Sequence, residues 1–276
     1  MTDQSLKSET WSSFVPRFPR LGAGALISVA SGIVALMWFY PLWATFSRSL
    51  NGDFPREFYR VLTQTQLPLW YLNSFVTSAG VTLGVLATGA ACGYALSQLQ
   101  FPGRKLLWWM VLASFAVPVQ ALIIGHFFLM FRMGLINTWL GVILPQLIMP
   151  LAVIVYKQHF DGLPKQLREA GIMDSASELR MFWRLYLPLN SGVTAGLGII
   201  TFIGAWNAFL WPFLVATKEE MMNVTVGITQ VHDAFGVQYA RELAAAVLAG
   251  LPVAVVYLIF QRRVTQAIML SAGIKG

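Results

Sequence analysis

The stretch "LREAGIMDSASELRMFWRLYLPL", Leu167 to Leu189, is a charged interruption in an otherwise apolar chain. The protein has 276 residues, of which 57% are hydrophobic and only 11% charged, whereas soluble domains carry roughly 25% charged residues. The chain has 19 Lys and Arg and 12 Asp and Glu residues, and nine of these charged residues lie in the stretch from Lys157 to Arg184. The composition indicates a membrane protein that concentrates its charge in residues 157–189, here called the charged segment.

Six apolar runs are long enough to cross a bilayer, since a spanning helix needs about 20 mostly apolar residues. The first run is too long for the core of a signal peptide, about 7–15 residues, and we expect it to remain as an anchor. The predicted fold is therefore an all-α integral membrane protein with six transmembrane helices in the lipid bilayer. The predicted spans are 22–46, 73–97, 106–131, 135–156, 191–216 and 243–260.

Lys and Arg are distributed unevenly between the two sides that these spans define. One side carries 13 of them and the other 6, and positive charge concentrates on the cytoplasmic side. We therefore expect a cytoplasmic N-terminal segment 1–21, a transmembrane domain 22–260 and a cytoplasmic tail 261–276. Within the transmembrane domain the charged segment is predicted to face the cytoplasm and the loop 217–242 to be external. This bias accounts for the net charge of +7, and without a basic stripe interleaved with aromatics no nucleic acid is expected as a partner.

The predicted spans contain no Lys, Arg, Asp or Glu. Buried ionisable groups usually mark ion or proton pathways, so the spans argue against an ion-coupled carrier, a pump or a voltage sensor. His126 is the one titratable group well inside a span, and we expect a neutral imidazole bonded to a neighbouring helix, with a proton relay as the alternative. No His lies at metal-ligand spacing from another ligand, so no metal site is expected. Pro118 and Pro252 are predicted to interrupt their spans.

Glycines recur at the spacing that lets two membrane helices approach closely. Either ordinary packing within the subunit or contact with a partner subunit would explain them. The pairs are Gly80 and Gly84, Gly89 and Gly93, and Gly192 and Gly196.

Uncharged polar and aromatic residues embedded in the spans are candidates for lining a substrate pathway. Amides offer hydrogen bonds to hydroxyl groups, and indole rings offer a stacking surface to a polyol. The alternative is structural, with Asn207 satisfying a backbone group freed near Pro212 and the Trp residues lying in the interfacial belt. The candidates are Asn73, Gln120, Trp206, Asn207 and Trp211.

The charged segment is predicted to form two short helices. Pro164 suits the first position of one helix, Ser175 and Glu178 match a capping box for the next, and Pro188 ends it. The second helix would carry one apolar stripe, comprising Leu179, Phe182, Trp183 and Tyr186. Helices this short are not stable alone, so they must pack on the membrane helices or dock in a partner; a helix lying on the lipid surface is the alternative.

These residues resemble the signature of importer-type ABC transporter permeases: E-A-A, three residues, G, nine residues, I, one residue, then L-P. The chain reads Glu169-Ala170-Gly171, Ser175 after three residues, and Leu185-Tyr186-Leu187-Pro188 after nine more, with Gly171, Ser175 and Leu185 departing from the pattern. The resemblance is closest to the carbohydrate-uptake branch, similar to the smaller maltose-type permease. It extends through the blocks "YLNSFVTS", "GYALSQLQFPGRK", "GLINTWLGVILP", "WNAFLWP" and "SAGIKG".

The resemblance implies a subunit of the bacterial inner membrane that works with partners. These are a second, different permease subunit, an ATPase dimer and an extracytoplasmic solute-binding protein. The chain lacks the G-x-x-x-x-G-K-[ST] phosphate-binding loop, so it would bind no cofactor and catalyse no reaction itself, with ATP and Mg in the partner ATPase. The residues implied in coupling to that ATPase are Glu169, Ala170, Gly171, Asp174, Ser175, Ala176, Ser177, Leu187 and Pro188.

Other functions remain open from the sequence. A secondary carrier of a neutral solute would need inverted repeats and broken half-helices, and no convincing match between the two halves is visible. A membrane scaffold that recruits a soluble enzyme would use the same charged segment. For an importer, uncharged spans favour a neutral sugar or sugar alcohol over glycerol phosphate, which would need Arg in the pathway; glycerol phosphate or another small polar solute is the alternative.

Overall fold

The computed structural model describes residues 20–50, 56–231 and 239–271, and these residues form helices and connecting loops without a strand. Four stretches lie outside the described part: residues 1–19 of the predicted N-terminal segment, residues 51–55, residues 232–238 of the predicted external loop and residues 272–276 of the predicted tail. The helices are α1 (Arg20–Leu50), α2 (Arg56–Gln64), α3 (Leu67–Gln98), α4 (Arg104–Phe115), α5 (Val119–Arg132), α6 (Trp139–Ile143), α7 (Pro150–Asp161), α8 (Lys165–Met173), α9 (Glu178–Met181), α10 (Leu187–Leu189), α11 (Ser191–Trp206), α12 (Leu210–Val215), α13 (Val224–Gly227) and α14 (Tyr239–Ser271). Short 3₁₀ turns occur at Leu144–Gln146, Glu219–Met221 and Ile228–Gln230, and a π turn at Phe182–Tyr186.

Three helices are long and apolar enough to cross a membrane, over Gly24–Ala44, Leu67–Gln98 and Ala240–Gln261. Three bent helix pairs also qualify, and the number of spans is six if each pair counts as one. The predicted all-helical membrane fold is therefore confirmed. The chain divides into two units, Met1–Arg48 and Ser49–Gly276, and the packing below belongs to the second; in the first, α1 exposes apolar side chains along its length.

The glycines of α3 lie against α6, α7 and the turn between them. A Cβ atom added at any of the four predicted contact glycines would come within 3 Å of a side chain on that partner. The facing pairs are Gly80 with Ile143, Gly84 with Leu147, Gly89 with Ala152 and Gly93 with Tyr156. Both members advance together along the sequence, so the two spans run parallel, and this glycine face serves packing within the subunit. Gly192, by contrast, has no such neighbour in the described part of the chain.

The helix α11 packs against α3 in the opposite direction. Tyr94 faces Tyr186 at a ring-centroid distance of 5.0 Å, whereas the earlier Tyr71 faces the later Trp206 at 6.3 Å. The second and fourth predicted spans therefore run in the same direction and the fifth runs in the opposite one. This is the order that six spans crossing the membrane alternately predict. The Tyr71 hydroxyl also donates to the Leu248 carbonyl at 2.6 Å, which ties α14 to α3.

Loops that the charge bias assigned to different sides lie at opposite ends of α3. At its end, Ser97 donates to Asp161 of the charged segment. At its start, the Trp70 indole donates to the Glu219 carbonyl at 2.9 Å, and the Trp70 ring lies so close to Gly227 that an added Cβ would meet it at 2.2 Å. The loop after α12 is therefore an ordered part of the fold up to residue 231.

Prolines determine where two of the spans break. The third span bends by 102° between Phe115 and Val119, as Pro118 predicts. The predicted interruption at Pro252 is wrong, since α14 continues through this residue. The predicted span 191–216 is also wrong at its end: α11 stops at Trp206 and α12 begins at Leu210.

The break in the fifth span follows from the chemistry of Pro212. This residue has no N–H to bond the Ala208 carbonyl, four residues earlier, and its ring obstructs a continuous helix there. The freed carbonyl accepts a hydrogen bond from the Thr225 hydroxyl at 2.8 Å. Asn207, which the sequence suggested for satisfying such a group, does not do so; Thr225 does, because the loop after α12 folds back beside the break.

Candidate functional site

The first short helix of the charged segment is α8, and the chain turns sharply after it. Asp174 ends the helix, the Ser175 N–H donates to the Ile172 carbonyl at 2.9 Å, and the Ala176 N–H donates to the Gly171 carbonyl at 3.0 Å. This pair of bonds is a Schellman motif, in which the residue after the helix adopts the left-handed conformation, usually as glycine. Ser175 holds that position with φ 52°.

The predicted capping box between Ser175 and Glu178 is therefore wrong. Ser175 closes α8 and does not start α9. The cap of α9 is Ser177, whose Oγ accepts from the Arg180 N–H at 3.3 Å. Local spacing allowed either serine, but the Schellman motif uses Ser175 and leaves Ser177 at the helix start. Pro164 is likewise one residue earlier than predicted, in the cap position before Lys165.

Gly171, a departure from the family signature, fits the packing between the two short helices. A Cβ atom here would lie 3.0 Å from the Met181 Sδ and 3.3 Å from its Cγ. Met181 is buried, so the missing methyl group at residue 171 leaves room for the long side chain at residue 181. The two positions complement one another across the turn.

A polar triad joins the two helices of the charged segment to α3. Arg168 donates to both carboxylate oxygens of Glu178, at 2.6 and 3.1 Å, and the Tyr94 hydroxyl donates to Glu178 Oε2 at 2.6 Å. Hydrogen bonding to Glu178 raises the pKa of the Arg168 guanidinium above its ordinary value, and hydrogen bonding to Arg168 lowers the pKa of the Glu178 carboxyl, so both partners stay charged. Bidentate pairing of this kind restricts geometry as well as adding energy, and it holds α8 at a defined place relative to α3.

A second set of contacts extends the triad toward α7. The Tyr186 hydroxyl donates to Gln98 Oε1 at 2.7 Å, and the Gln98 amide donates to the Phe160 carbonyl at 3.2 Å. The rings of Tyr94, Phe160 and Tyr186 meet edge to face at centroid distances of 5.0 to 6.2 Å. The charged segment is thus packed as one body with the ends of α3 and α7, as short helices require.

Pro188 and Asn190 shape the connection from the charged segment to α11. Pro188 has no N–H and its ring would clash with the carbonyl of Arg184 in a regular helix; the preceding residues widen into a π turn, where the Leu187 N–H donates to the Phe182 carbonyl. The buried Asn190 amide donates to the Tyr186 carbonyl at 2.8 Å. The chain bends by 77° at this point. Pi turns often occur at functional sites.

The predicted single apolar stripe of the second short helix is divided between two faces. Phe182 and Tyr186 are buried against α3, whereas Leu179 and Trp183 are 68% and 57% exposed. Residues four apart share a face, so Phe182 and Tyr186 form an inner face and Leu179 and Trp183 an outer one.

The outer face of the charged segment combines an unpaired carboxylate with exposed apolar side chains. Glu169 is exposed, and its side chain has no hydrogen bond or ion pair with any described residue. Met173 is 83% and Ile172 57% exposed on the same helix. Ala170 and Asp174 are exposed as well. Exposed apolar patches rimmed by polar groups mark interaction sites, and this patch is held on a rigid base.

The predicted pathway residues separate into buried and exposed groups. Asn73 is buried, donates to the Glu220 and Met222 carbonyls at 2.8 and 3.0 Å, and accepts from the Trp139 indole at 2.9 Å. Trp206 is buried, and the buried Trp211 donates to the Val142 carbonyl at 3.2 Å. Gln120 and Asn207 are exposed, and their amides have no partner among the described residues. Asn73 and Trp211 thus make structural hydrogen bonds, whereas the Trp206 ring packs against Tyr71 and Phe202 and its indole N–H has no partner among the described residues.

His126 is half-buried, with its ring 6.1 Å from that of Trp211. It makes no hydrogen bond within the described part of the chain, so the expected bond to a neighbouring helix stays a prediction. Its contact with Trp211 is an edge-to-face aromatic one.

Sequence reasoning missed the residues that position the outer face: Tyr94, Gln98, Arg168 and Asn190. Arg168 and Glu178 are ten residues apart on either side of the turn, and this opposite charge across a sharp reversal was a usable signal. Tyr94 and Gln98 gave none, because nothing local relates them to a segment more than 80 residues later.

The sequence of this chain is similar to a known protein family and to several known transport proteins. Residues 80–269 match the family model described as "Binding-protein-dependent transport system inner membrane component". The arabinooligosaccharides transport system permease protein AraQ of Halalkalibacterium halodurans is 31% identical over 75% of this chain and 74% of its own length. The sn-glycerol-3-phosphate transport system permease protein UgpE of Yersinia pestis is 32% identical over 72% and 71%, and the diacetylchitobiose uptake system permease protein NgcG of Streptomyces coelicolor is 32% identical over 75% and 70%.

A solved structure shares the fold. A chain of a bacterial ABC transporter involved in the import of the acidic polysaccharide alginate superposes with a TM-score of 0.77. The match has 24% sequence identity and covers 90% of this chain and 99% of that chain.

Proposed function

Because the chain belongs to the family of binding-protein-dependent transport system inner membrane components, we propose that it forms half of the translocation pathway for a sugar or sugar alcohol. It is a permease subunit of a binding-protein-dependent importer. The carbohydrate cargo is supported by the names of two relatives, an arabinooligosaccharide and a diacetylchitobiose permease. The family membership does not favour a secondary carrier.

The outer face of the charged segment is the proposed contact with a partner ATPase dimer. One observation carries this proposal: Glu169 is exposed without a partner among the described residues, beside exposed apolar side chains, on helices that the Arg168–Glu178–Tyr94 triad ties to α3. A docked ATPase would supply a cation for Glu169 and a groove for Ile172 and Met173. ATP and Mg would be bound there, since this chain has no phosphate-binding loop.

Force from the ATPase would reach the membrane through the triad. A displacement of α8 is transferred by the bidentate ion pair to α9 and by Tyr94 to α3, because these groups are held by short, directional bonds. The Schellman turn and the π turn keep the shape of the segment while it moves.

Replacement of Glu169 by Lys tests the docking. We expect loss of substrate uptake by more than about tenfold, since truncating one partner of a buried charge pair at an interface costs about 2–5 kcal/mol and reversal costs no less. Uptake in cells and ATP hydrolysis by the purified complex are the measurements. Glu169→Gln keeps the shape of the side chain, so its uptake should lie between that of the wild type and that of Glu169→Lys. The amount of each variant inserted in the membrane is the control. Normal uptake by Glu169→Lys at normal insertion would refute the docking role.

The pathway itself would be shared with a second, different permease subunit. Of the predicted pathway residues, Gln120 and Asn207 have side-chain amides without a partner in the described part and would line it. An extracytoplasmic binding protein would deliver the solute to the end where residues 217–231 lie. Asn73 instead holds this loop on α3.

The charge of the spans bears on the cargo. Neither α3 nor α11 carries a Lys or Arg residue. Phosphate recognition usually needs such cations. A neutral carbohydrate therefore fits better, although a glycerol-phosphate permease among the relatives makes that solute the second candidate. A thermal-shift screen of the cognate binding protein against neutral sugars, sugar alcohols and sn-glycerol 3-phosphate decides between them: stabilisation by the phosphate alone would reverse the assignment.

A further inference from the structure

A cavity of about 600 Å³ lies where the end of α3, the start of α4 and α7 meet. Three basic residues line it, Arg104, Lys105 and Lys157, together with the rings of Phe101 and Trp108. No Asp or Glu is among its lining residues. It is separate from the outer face of the charged segment, although both lie at the same end of the spans.

The charge of this cavity is only partly balanced by the protein, because one of its three cations pairs with a carboxylate. Lys157 pairs with Asp161 at 2.5 Å and lies 4.8 Å from the centre of the Trp108 ring. Arg104 donates only to neutral groups, the carbonyls of Leu96, Ser97 and Leu99, at 2.8 to 3.1 Å. These bonds leave some of its N–H groups unused, and no carboxylate of the described chain pairs with it.

Lys105 is the freest of the three cations. Its side chain is exposed and makes no hydrogen bond or ion pair with any described residue. Arg104 and Lys105 therefore present unbalanced positive charge and spare donors to the same cavity. An anion with several acceptor oxygens would meet both requirements.

Exposed apolar surface begins directly beside these cations. Leu106, Trp109 and Met110 are 66%, 67% and 58% exposed on the first turns of α4. A soluble anion would make no contact with this apolar surface, whereas a lipid would place its charged headgroup in the cavity and its acyl chains along α4. Tryptophan near the end of a span is also typical of the headgroup region.

We propose that this cavity binds the phosphodiester headgroup of an anionic phospholipid. Basic pockets between membrane helices on the positively charged side are suited to such headgroups. Lys105 and the unused Arg104 donors would hold the phosphate, and Trp108 and Phe101 would enclose it. A lipid bound here would contact α3, α4 and α7 where the charged segment is anchored. The proposal does not rest on the importer function or its cargo.

Lipid binding by the full-length chain, purified in mild detergent with the subunits that remain bound to it, is the test. Native mass spectrometry would compare phosphatidylglycerol with phosphatidylcholine of the same chains. We expect phosphatidylglycerol to bind the wild type more tightly by about fivefold or more, since each cation near a lipid surface contributes on that order. Lys105→Glu should remove the preference, and Lys105→Arg should keep it.

Arg132→Glu is the matched control, because Arg132 is an exposed cation in the last turn of α5 and does not line the cavity. This variant should keep the lipid preference. Thermal unfolding of Lys105→Glu and of the milder Lys105→Gln would establish that both are folded. The proposal would be overturned if the wild type bound the two lipids equally or if Lys105→Glu and Lys105→Gln both kept the preference. Displacement of the lipid by an equal concentration of inorganic phosphate would also overturn it.

Discussion

Ser175 shows how one residue can depart from a signature without changing the turn that the signature makes. The Schellman motif after α8 needs a left-handed residue, and Ser175 adopts φ 52° although a Cβ atom disfavours that region. The bonds from the N–H groups of Ser175 and Ala176 hold it there. Its hydroxyl does not cap α9, so it offers no compensation of the kind that a capping box would supply.

Replacement of Ser175 by Gly should stabilise the protein. Glycine enters the left-handed region without steric cost, and relief of a non-glycine residue there is worth about 1 kcal/mol. Thermal unfolding in detergent measures the change, with Ser175→Ala as the control that keeps the Cβ atom. An equal unfolding temperature for the two variants would show that Ser175 is not strained.

At the scale of helices, small residues decide which faces meet. The four glycines of α3 allow α6 and α7 to approach so closely that added methyl groups would overlap them. Gly192 has the same spacing to Gly196 but open space around it in the described structure. Spacing in the sequence predicted where close approach was sterically permitted, whereas the fold determined which of those faces is used within the subunit.

Replacement of Gly93 by Ala should destabilise the chain by about 1–3 kcal/mol, the usual cost of overpacking. Its Cβ atom would lie 2.7 Å from the Tyr156 Cβ and 3.0 Å from the Lys157 backbone nitrogen, which cannot move aside like a flexible side chain. Thermal unfolding of the purified subunit measures the loss. Gly192→Ala is the control and should have little effect; equal losses in both variants would contradict the packing described here.

For the whole molecule, the alternation of spans follows from the directions of the packed helices. With α3 and α7 parallel and α11 antiparallel, the charged segment and residues 217–231 lie at opposite ends. The excess of Lys and Arg predicts that the end with the charged segment is cytoplasmic. That orientation stays a prediction of the sequence.

Cysteine labelling of intact cells tests the orientation. In a chain with the exposed Cys92 replaced by Ser, we expect Lys218→Cys to react with a membrane-impermeant maleimide added outside. Lys165→Cys should react only after the membranes are dissolved and the protein is denatured. The reverse pattern would place the charged segment outside and would exclude contact with a cytoplasmic ATPase.

The membrane-protein class, the apolar segments that fit up to six spans and the place of the charged turn were all predictable from local sequence. These follow from properties of neighbouring residues: the apolar length of a segment, the position of a proline and the local excess of charge. The break at Pro118 was predictable for the same reason.

Which side chains meet was not predictable from local sequence and depends on the packing of the folded chain. This packing assigned the cap of α9 to Ser177, paired Glu178 with Arg168 and Tyr94, and occupied the Asn73 amide with the loop after α12. Each outcome depends on side chains that are distant in sequence or that compete for one partner. Local spacing contains no information about that competition, since its result depends on which arrangement of the whole chain leaves the fewest polar groups unpaired.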